Sequence, residues 1–341
     1  MDELLRNWVS HWHWSILLVV MAASTAALVR GADWLVEEAL AISMRLRLSR
    51  AVVGATVISL GTTTPEAAVS VLAAIGGNPG LALGNAVGSI ICDTGLILGL
   101  ACLIRPLPID RHLTRRQGRM QLAAAMLLIV ACIPWRNLSH LFVEGGRLPQ
   151  AAGWLFLTLL AIYLIWSVRT AASTPLVSDD ESLPAASRHL FRVCVNLAVS
   201  IAVVLASSSF LIATATELAE RLKVPPSIVA ATLVALGTSL PELMIAITAA
   251  LKGHGELAMG NIIGADILNV LFVSGSAAAV TPGGLHAEPH FFRLQFPAML
   301  FVLVAFRVGV CRRGETHLSR FFGVLLLAAY LLVTALSYWL G

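Results

Sequence analysis

Charge is the scarcest property of this chain: only 12% of its 341 residues are Asp, Glu, Lys or Arg, against 58% that are apolar. A water-soluble protein of this size needs far more charge to cover its surface, so a soluble globular domain is excluded. Paired cysteines are lacking as well. Cys92, Cys102, Cys132, Cys194 and Cys311 follow no metal or disulfide spacing, and four lie within or beside apolar runs. They read as small apolar residues rather than as a disulfide framework or zinc ligands. Met1–Trp14 lacks a basic start, a short apolar core and a small-residue cleavage site, so the first apolar run is expected to insert uncleaved. The net charge of +4 sits in short loops between apolar runs, where it orients a membrane protein, and no nucleic-acid partner is expected.

What the chain has in abundance is apolar runs of about 20 residues, the length that crosses a bilayer as helix. Ten are marked: 15–37, 52–75, 80–104, 120–135, 149–168, 191–219, 226–251, 255–279, 291–310 and 319–340. Trp8, Trp12 and Trp14, beside His11 and His13, suit an interfacial belt ahead of the first. A polar linker, 171–190, holds Asp179, Asp180 and Glu181 and divides the chain into halves 1–170 and 191–341. The fold class expected is therefore an all-α membrane protein of ten transmembrane helices in two five-helix halves, in contact with the lipid bilayer.

Lys and Arg are unevenly shared between the two sides. Sixteen fall in the loops after spans 1, 3, 5, 7 and 9, including Arg105, Arg111, Arg115, Arg116 and Arg119; six fall on the opposite side, among them Arg147, Arg221 and Arg293. The positive-inside rule then puts both termini on the outer, periplasmic side of a cell inner membrane. Five spans per half, an odd number, make the second half enter the membrane inverted.

A shift of 176 residues aligns 61–99 with 237–275 without a gap, and 14 of the 39 positions are identical. Gly61/Gly237, Thr62/Thr238, Pro65/Pro241, Glu66/Glu242, Gly84/Gly260, Asn85/Asn261 and Gly88/Gly264 are among them. The repeats occupy about 52–104 and 226–279. An inverted repeat with interrupted helices points to the binding site of a secondary transporter.

Glu66 and Glu242 sit mid-span, where a carboxylate is costly unless it is paired. Pro65 and Pro241 remove a helix hydrogen bond beside each one, and a broken helix frees carbonyls as cation ligands. Ser59, Thr62, Thr63 and Glu66 share one helical face; Thr238, Ser239 and Glu242 repeat it. On the next span Asn85, Ser89 and Asp93 fall on one face, and Asn261, Ala265 and Asn269 are their counterparts. All the polar groups are oxygen donors, with no thiol or imidazole, which suits a hard cation such as Ca2+. Two copies of the pattern weigh against a merely kinked helix with a packing Glu.

These motifs resemble the calcium/cation antiporter superfamily, and most of all its prokaryotic sodium/calcium exchanger branch. The resemblance implies a Ca2+/Na+ exchange site in which Glu66 and Glu242 are the central ligands and Thr62, Thr63, Thr238 and Ser239 add hydroxyl or carbonyl oxygens. It implies carbonyls from Ser59 and Ala235, with Asp93, Asn269 and Ser89 around them; Asp266, Asn85 and Asn261 form a second rank of candidates. Ca2+ and Na+ are substrates, and no cofactor is implied. The chain departs from the pattern at Thr63 for serine, at Ala265 where serine is usual, at Asp93 where Asn is frequent, and at Asp266, an extra carboxylate. H+ or K+ as the co-ion, or a cation channel, are the rival readings. Elsewhere, Arg30 and Asp33 read as a local ion pair, Asn137-Leu138-Ser139 as a chance sequon, and His286, Glu288 and His290 as surface loop residues.

Overall fold

The computed structural model describes residues 8–46, 48–109, 111–171, 190–222, 237–312 and 316–340. The polar linker and the first part of the expected seventh span, with Ala235, lie outside them. Among the described residues the architecture is all-helical apart from two short ribbons. Seven of the described helices are long and apolar enough to cross a membrane, or eight when one bent pair counts as a single span.

The first half begins with α1 (Trp14–Leu46). It continues through α2 (Arg50–Thr62), which is bent by 41° against α3 (Thr64–Ile75). α4 (Pro79–Ile104) follows, with a widened π-type turn at Cys92–Ile97. α5 (Arg111–Cys132) and α6 (Gln150–Ala171) complete the half. The second half has α7 (Leu190–Arg221), α8 (Leu240–Leu251) and α9 (Gly255–Val280). It ends with α10 (Phe291–Cys311) and α11 (Arg320–Leu340). α9 widens at Asn269–Ser274, so the π-type turn recurs nearly at the repeat offset.

Local structure follows the repeat closely. α3 and α8 both start just before a proline and both run for 12 residues. Both end at a glycine in the left-handed region, Gly77 at φ 86° and Gly253 at φ 83°. There the amides of Asn78 and His254 bond back to Ala73 and Ala249, which closes the helix end and turns the chain into the next span. A side chain at either glycine would strain this turn.

The two halves interlock through α9 and α2. A Cβ at Gly260 would lie 2.1 Å from the Ala51 carbonyl, and one at Gly264 would lie 2.5 Å from Ala55 Cα and 2.6 Å from Ser59 Oγ. Backbones approach this closely only where side chains are missing, as in small-residue packing of membrane helices. The contact sets Ser59 and the break after Thr62 directly against α9.

α1 and α7 pack along each other outside this core. Glu38 of α1 is buried, and its Oε1 accepts from Asn196 Nδ2 of α7 at 3.1 Å and from Trp34 Nε1 at 3.3 Å. Loop contacts fall into two sets. In one, Lys252 Nζ meets Asp33 at 3.2 Å and Glu37 at 3.1 Å, and β1 (Leu107–Pro108) pairs antiparallel with β4 (His317–Leu318). In the other, Arg221 donates to the Ser10 carbonyl, Arg293 to the Phe142 carbonyl, and β2 (Gly146–Leu148) pairs with β3 (Leu285–Ala287).

Several expectations need correction. The basic segment Arg111–Arg119 is not a loop but the opening turns of α5, because arginine is a good helix former and its long stem reaches packing partners. Arg116 lies 3.9 Å over the Trp166 ring, for example. Asp33 pairs with Lys252 across the fold rather than with Arg30 in its own helix. His286 is half-buried in a ribbon, opposite Arg147, instead of in a loop. Helix α1 also runs well past the apolar run that announces it, to Leu46 rather than residue 37, since hydropathy detects only the part suited to hydrocarbon.

Gly264→Ala should destabilise the detergent-purified protein by about 1–3 kcal/mol through forced separation of α9 from α2. Thermal unfolding checks this. Leu72→Ala, on an exposed face of α3, should leave the transition nearly unchanged.

Candidate functional site

Each repeat builds its part of the site from a helix that stops and restarts. Pro65 and Pro241 occupy the first turn of α3 and α8, where their missing N–H is tolerated. The same absence leaves the Gly61 and Gly237 carbonyls without their usual donor four residues on. Thr63 at φ −82°, ψ −4° and Ser239 at φ −89°, ψ 7° hold the two breaks in nearly identical conformations. Glu66 and Glu242 therefore lie in the first turn after a helix N-terminus, where the helix dipole favours a carboxylate.

The two glutamates are each 1% exposed. They come together: Glu242 and Asp93 both act electrostatically on Glu66, and Glu242 and Asp266 both act on Asp93. The Thr62 side chain reaches Glu242 across the boundary between the halves. Asn269 Nδ2 stands 3.5 Å from Asp93 Oδ2, so the two positions related by the repeat face each other. Both belong to the π-type turns, which turn these side chains out of simple helical register.

Ser59, Thr62, Thr63, Ser89, Ser239 and Asn261 are also buried, and Thr238 is half-buried. Much of this polar surface has no partner within the described residues. Glu66 Oε2, Glu242 Oε2, Asp93 Oδ1, Asn269 Oδ1, Ser59 Oγ, Thr63 Oγ1, Ser239 Oγ and both amide atoms of Asn261 have no hydrogen-bond partner among the described residues. Buried polar atoms are rarely left so, and oxygen atoms dominate this set. The donor chemistry therefore fits a hard cation.

Not every candidate is equally placed. Asn85 is half-buried and already engaged, with its Nδ2 3.0 Å from Ser70 Oγ and 3.4 Å from the Glu66 carbonyl; it ties α4 to α3. Asp266 is buried, with its Oδ2 held by Thr94 Oγ1 and Gln121 Nε2 at 2.5 Å each. Ala265 has no oxygen in its side chain. Ala235 is outside the described residues.

Sequence reasoning missed Thr94, Gln121 and Glu38. Thr94 is next to Asp93 in the sequence, and its hydroxyl donates to Asp266 Oδ2. Gln121 belongs to α5, outside the repeats. Its signal was an uncharged amide in an apolar run, four residues after Gln117, whose own amide bonds Ser167 and Tyr163.

Comparison with known proteins bears on this geometry. A family model described as sodium/calcium exchanger protein matches residues 16–169 and 193–339. Inner membrane protein YrbG of Escherichia coli K12 is 31% identical over 334 residues, covering 94% of this chain and 98% of that protein. Sodium/calcium exchanger MaX1 of Methanosarcina acetivorans is 26% identical, covering 93% and 97%. Among solved structures, one of the sodium-calcium exchanger NCX_Mj superposes with a TM-score of 0.79 at 26% identity, covering 95% of this chain and 99% of that one. With matching family blocks on both halves and a full-length structural likeness, this chain belongs to the sodium/calcium exchanger protein family.

Proposed function

We propose that this protein is a secondary antiporter that exchanges Ca2+ for Na+ across the cytoplasmic membrane by alternating access. The observation that carries the reading is the pair of buried carboxylates, Glu66 and Glu242, each in the first turn of a restarted helix and each with an oxygen that no donor among the described residues uses. Two glutamates with Asp93 can neutralise a divalent ion and leave charge over for monovalent competitors. Hydroxyl, carbonyl and amide oxygens from Ser59, Thr62, Thr63, Ser89, Thr238, Ser239, Ala235 and Asn269 would bring the count towards the about six to eight that Ca2+ takes. Asn261 stands next in line. Asn85 is a tie between helices in this reading.

Ten spans in two inverted halves, 1–170 and 191–341, accord with the loop contacts. β1 and β4 follow spans 3 and 9, β2 and β3 follow spans 4 and 8, and Lys252 after span 7 meets the end of span 1. Each pairing joins loops that the ten-span order puts on one side. Short ribbons cannot form across a bilayer. The excess of Arg on the β1–β4 side supports an interior location for it and an outer location for both termini.

The long pair α1 and α7 would slide across the core that holds the site. Na+ entering down its gradient would then drive Ca2+ out. Ions would neutralise the carboxylates well enough for the loaded site to cross between states, whereas an empty, charged site would resist crossing.

Glu66→Gln and Glu242→Gln each keep shape and oxygen but remove a charge. Each should reduce Na+-dependent 45Ca2+ uptake into proteoliposomes to near background while insertion and thermal unfolding stay close to normal; full exchange by both variants would refute the site. The exchanged pair Asp93→Asn with Asn269→Asp should transport better than Asp93→Asn alone, because it keeps one carboxylate and one amide facing each other. Sidedness is checked by single cysteines in a cysteine-free background. A cysteine at Arg147 should react with an impermeant thiol reagent on intact cells, and one at His317 should be protected.

A further inference from the structure

Lys252 links a helix of the site to the helix pair outside the core. It caps the C-terminal end of α8, the helix with Glu242 in its first turn, and its amide donates to the Thr248 carbonyl at 2.9 Å. Gly253, at φ 83°, turns the chain immediately after it. Its Nζ lies 3.2 Å from Asp33 Oδ1 and 3.1 Å from Glu37 Oε1, and donates to the Asp33 carbonyl at 3.3 Å. Asp33 and Glu37 stand four residues apart and so share one face of α1. The next residue, Glu38, accepts from Asn196 of α7 at 3.1 Å, so the helix that Lys252 holds is itself tied to α7.

The 176-residue shift extends to these helices. Applied to α1 (Trp14–Leu46) it gives 190–222, and α7 is Leu190–Arg221. The same shift pairs Asp33 with Ser209, Glu37 with Ala213 and Lys252 with Gly76. None of these counterparts carries a charge, so the repeat cannot build the contact a second time at the opposite face. Inverted repeats make the two faces of a transporter near-equivalent, and a contact built on one face alone breaks that equivalence. The three side chains are partly exposed, so the ion pairs add little to folding. An equilibrium between two nearly equal states shifts several-fold on that little.

We propose that Lys252, Asp33 and Glu37 form an ionic latch that holds α1 against α8 and biases the protein toward the state closed to the cytoplasm. The latch lies on the face assigned above to the interior. Opening the site on that face requires α1 to move relative to α8 and both ion pairs to part, whereas opening to the outer face leaves them intact. Because α8 carries Glu242 in its first turn and Lys252 at its end, a single helix connects the ion site to the latch. The inference rests on the alternating-access reading.

Ca2+/Ca2+ exchange in everted and in right-side-out membrane vesicles, with external Ca2+ varied, reads the half-saturating Ca2+ on the cytoplasmic and outer faces separately. The apparent affinity at each face scales with the population open to it. Lys252→Met is therefore expected to lower the half-saturating Ca2+ several-fold on the cytoplasmic face and to raise it on the outer face. Lys252→Glu should shift both values further, and adding Asp33→Lys with Glu37→Lys should return them toward wild type, because opposite charges face each other again. Choline chloride added to everted vesicles should move the wild type in the direction of Lys252→Met and leave Lys252→Met nearly unmoved, since salt screens partly exposed ion pairs. Unchanged values on both faces overturn the proposal. So do shifts of the same sign on both faces, which would mean altered ion binding rather than altered bias, and a charge-swapped variant no better than Lys252→Glu alone. If the variants fail to fold, a wild type insensitive to choline chloride overturns it by itself. Absence of Ca2+ counterflow in wild-type vesicles of either orientation would contradict the alternating-access reading and is distinguishable from all of these.

Discussion

Two carboxylates held in the middle of a membrane protein, out of water and away from any basic partner among the described residues, are the constraint on which the rest of this structure depends. Such groups are tolerable where a positive partner, hydrogen-bond donors or a proton offsets the charge. The prolines beside them break the helices, and the breaks do two things at once. They place each glutamate at a helix N-terminus, where the dipole is favourable, and they release carbonyl oxygen next to it. The glycines of α9 follow from the same need. Without Gly260 and Gly264 the helix could not press against α2, and the broken turn of one half would not meet the polar face of the other.

The repeat makes this economical. One solution to the problem of a buried carboxylate is used twice in one chain, with Glu66 and Glu242 each in the first turn of a restarted helix. The departures from symmetry are then informative. Asp93 faces Asn269 rather than a second Asp, which limits charge repulsion at the centre. Asp266 restores a carboxylate on the other flank, and the protein spends two of its neutral donors on one oxygen of it.

The central glutamates, the broken helices and the offset between halves were legible in the sequence because each rests on a residue type with a strong local effect: proline, glycine, or a carboxylate in an apolar run. Asp93 and Asn269 were marked by the 176-residue shift that makes them counterparts, not by helical spacing, because the π-type turns take them out of simple register. The ribbons were not, because strands of two or three residues carry no periodicity. Nor was the full length of α5, whose arginine-rich start reads as a loop by hydropathy but is covered by packing such as Arg116 on Trp166. Lys252 pairing with Asp33 and Gln121 reaching Asp266 are contacts between residues distant in sequence, and a repeat comparison is blind to them since neither Lys252 nor Gln121 has a counterpart of the same kind. Glu38 was overlooked next to Glu37 although it is the buried one of the two; alternation of exposure along a helix has to be seen against its neighbour α7.

The central claim is that movement of Ca2+ is coupled to an opposing flow of Na+. The most direct test loads proteoliposomes with Na+ and places them in Na+-free medium containing 45Ca2+, with membrane potential clamped and pH equal on both sides. The account predicts that Ca2+ accumulates inside above its external concentration and leaves again when an ionophore dissipates the Na+ gradient. Uptake that only equilibrates, or that proceeds equally without internal Na+, would contradict it.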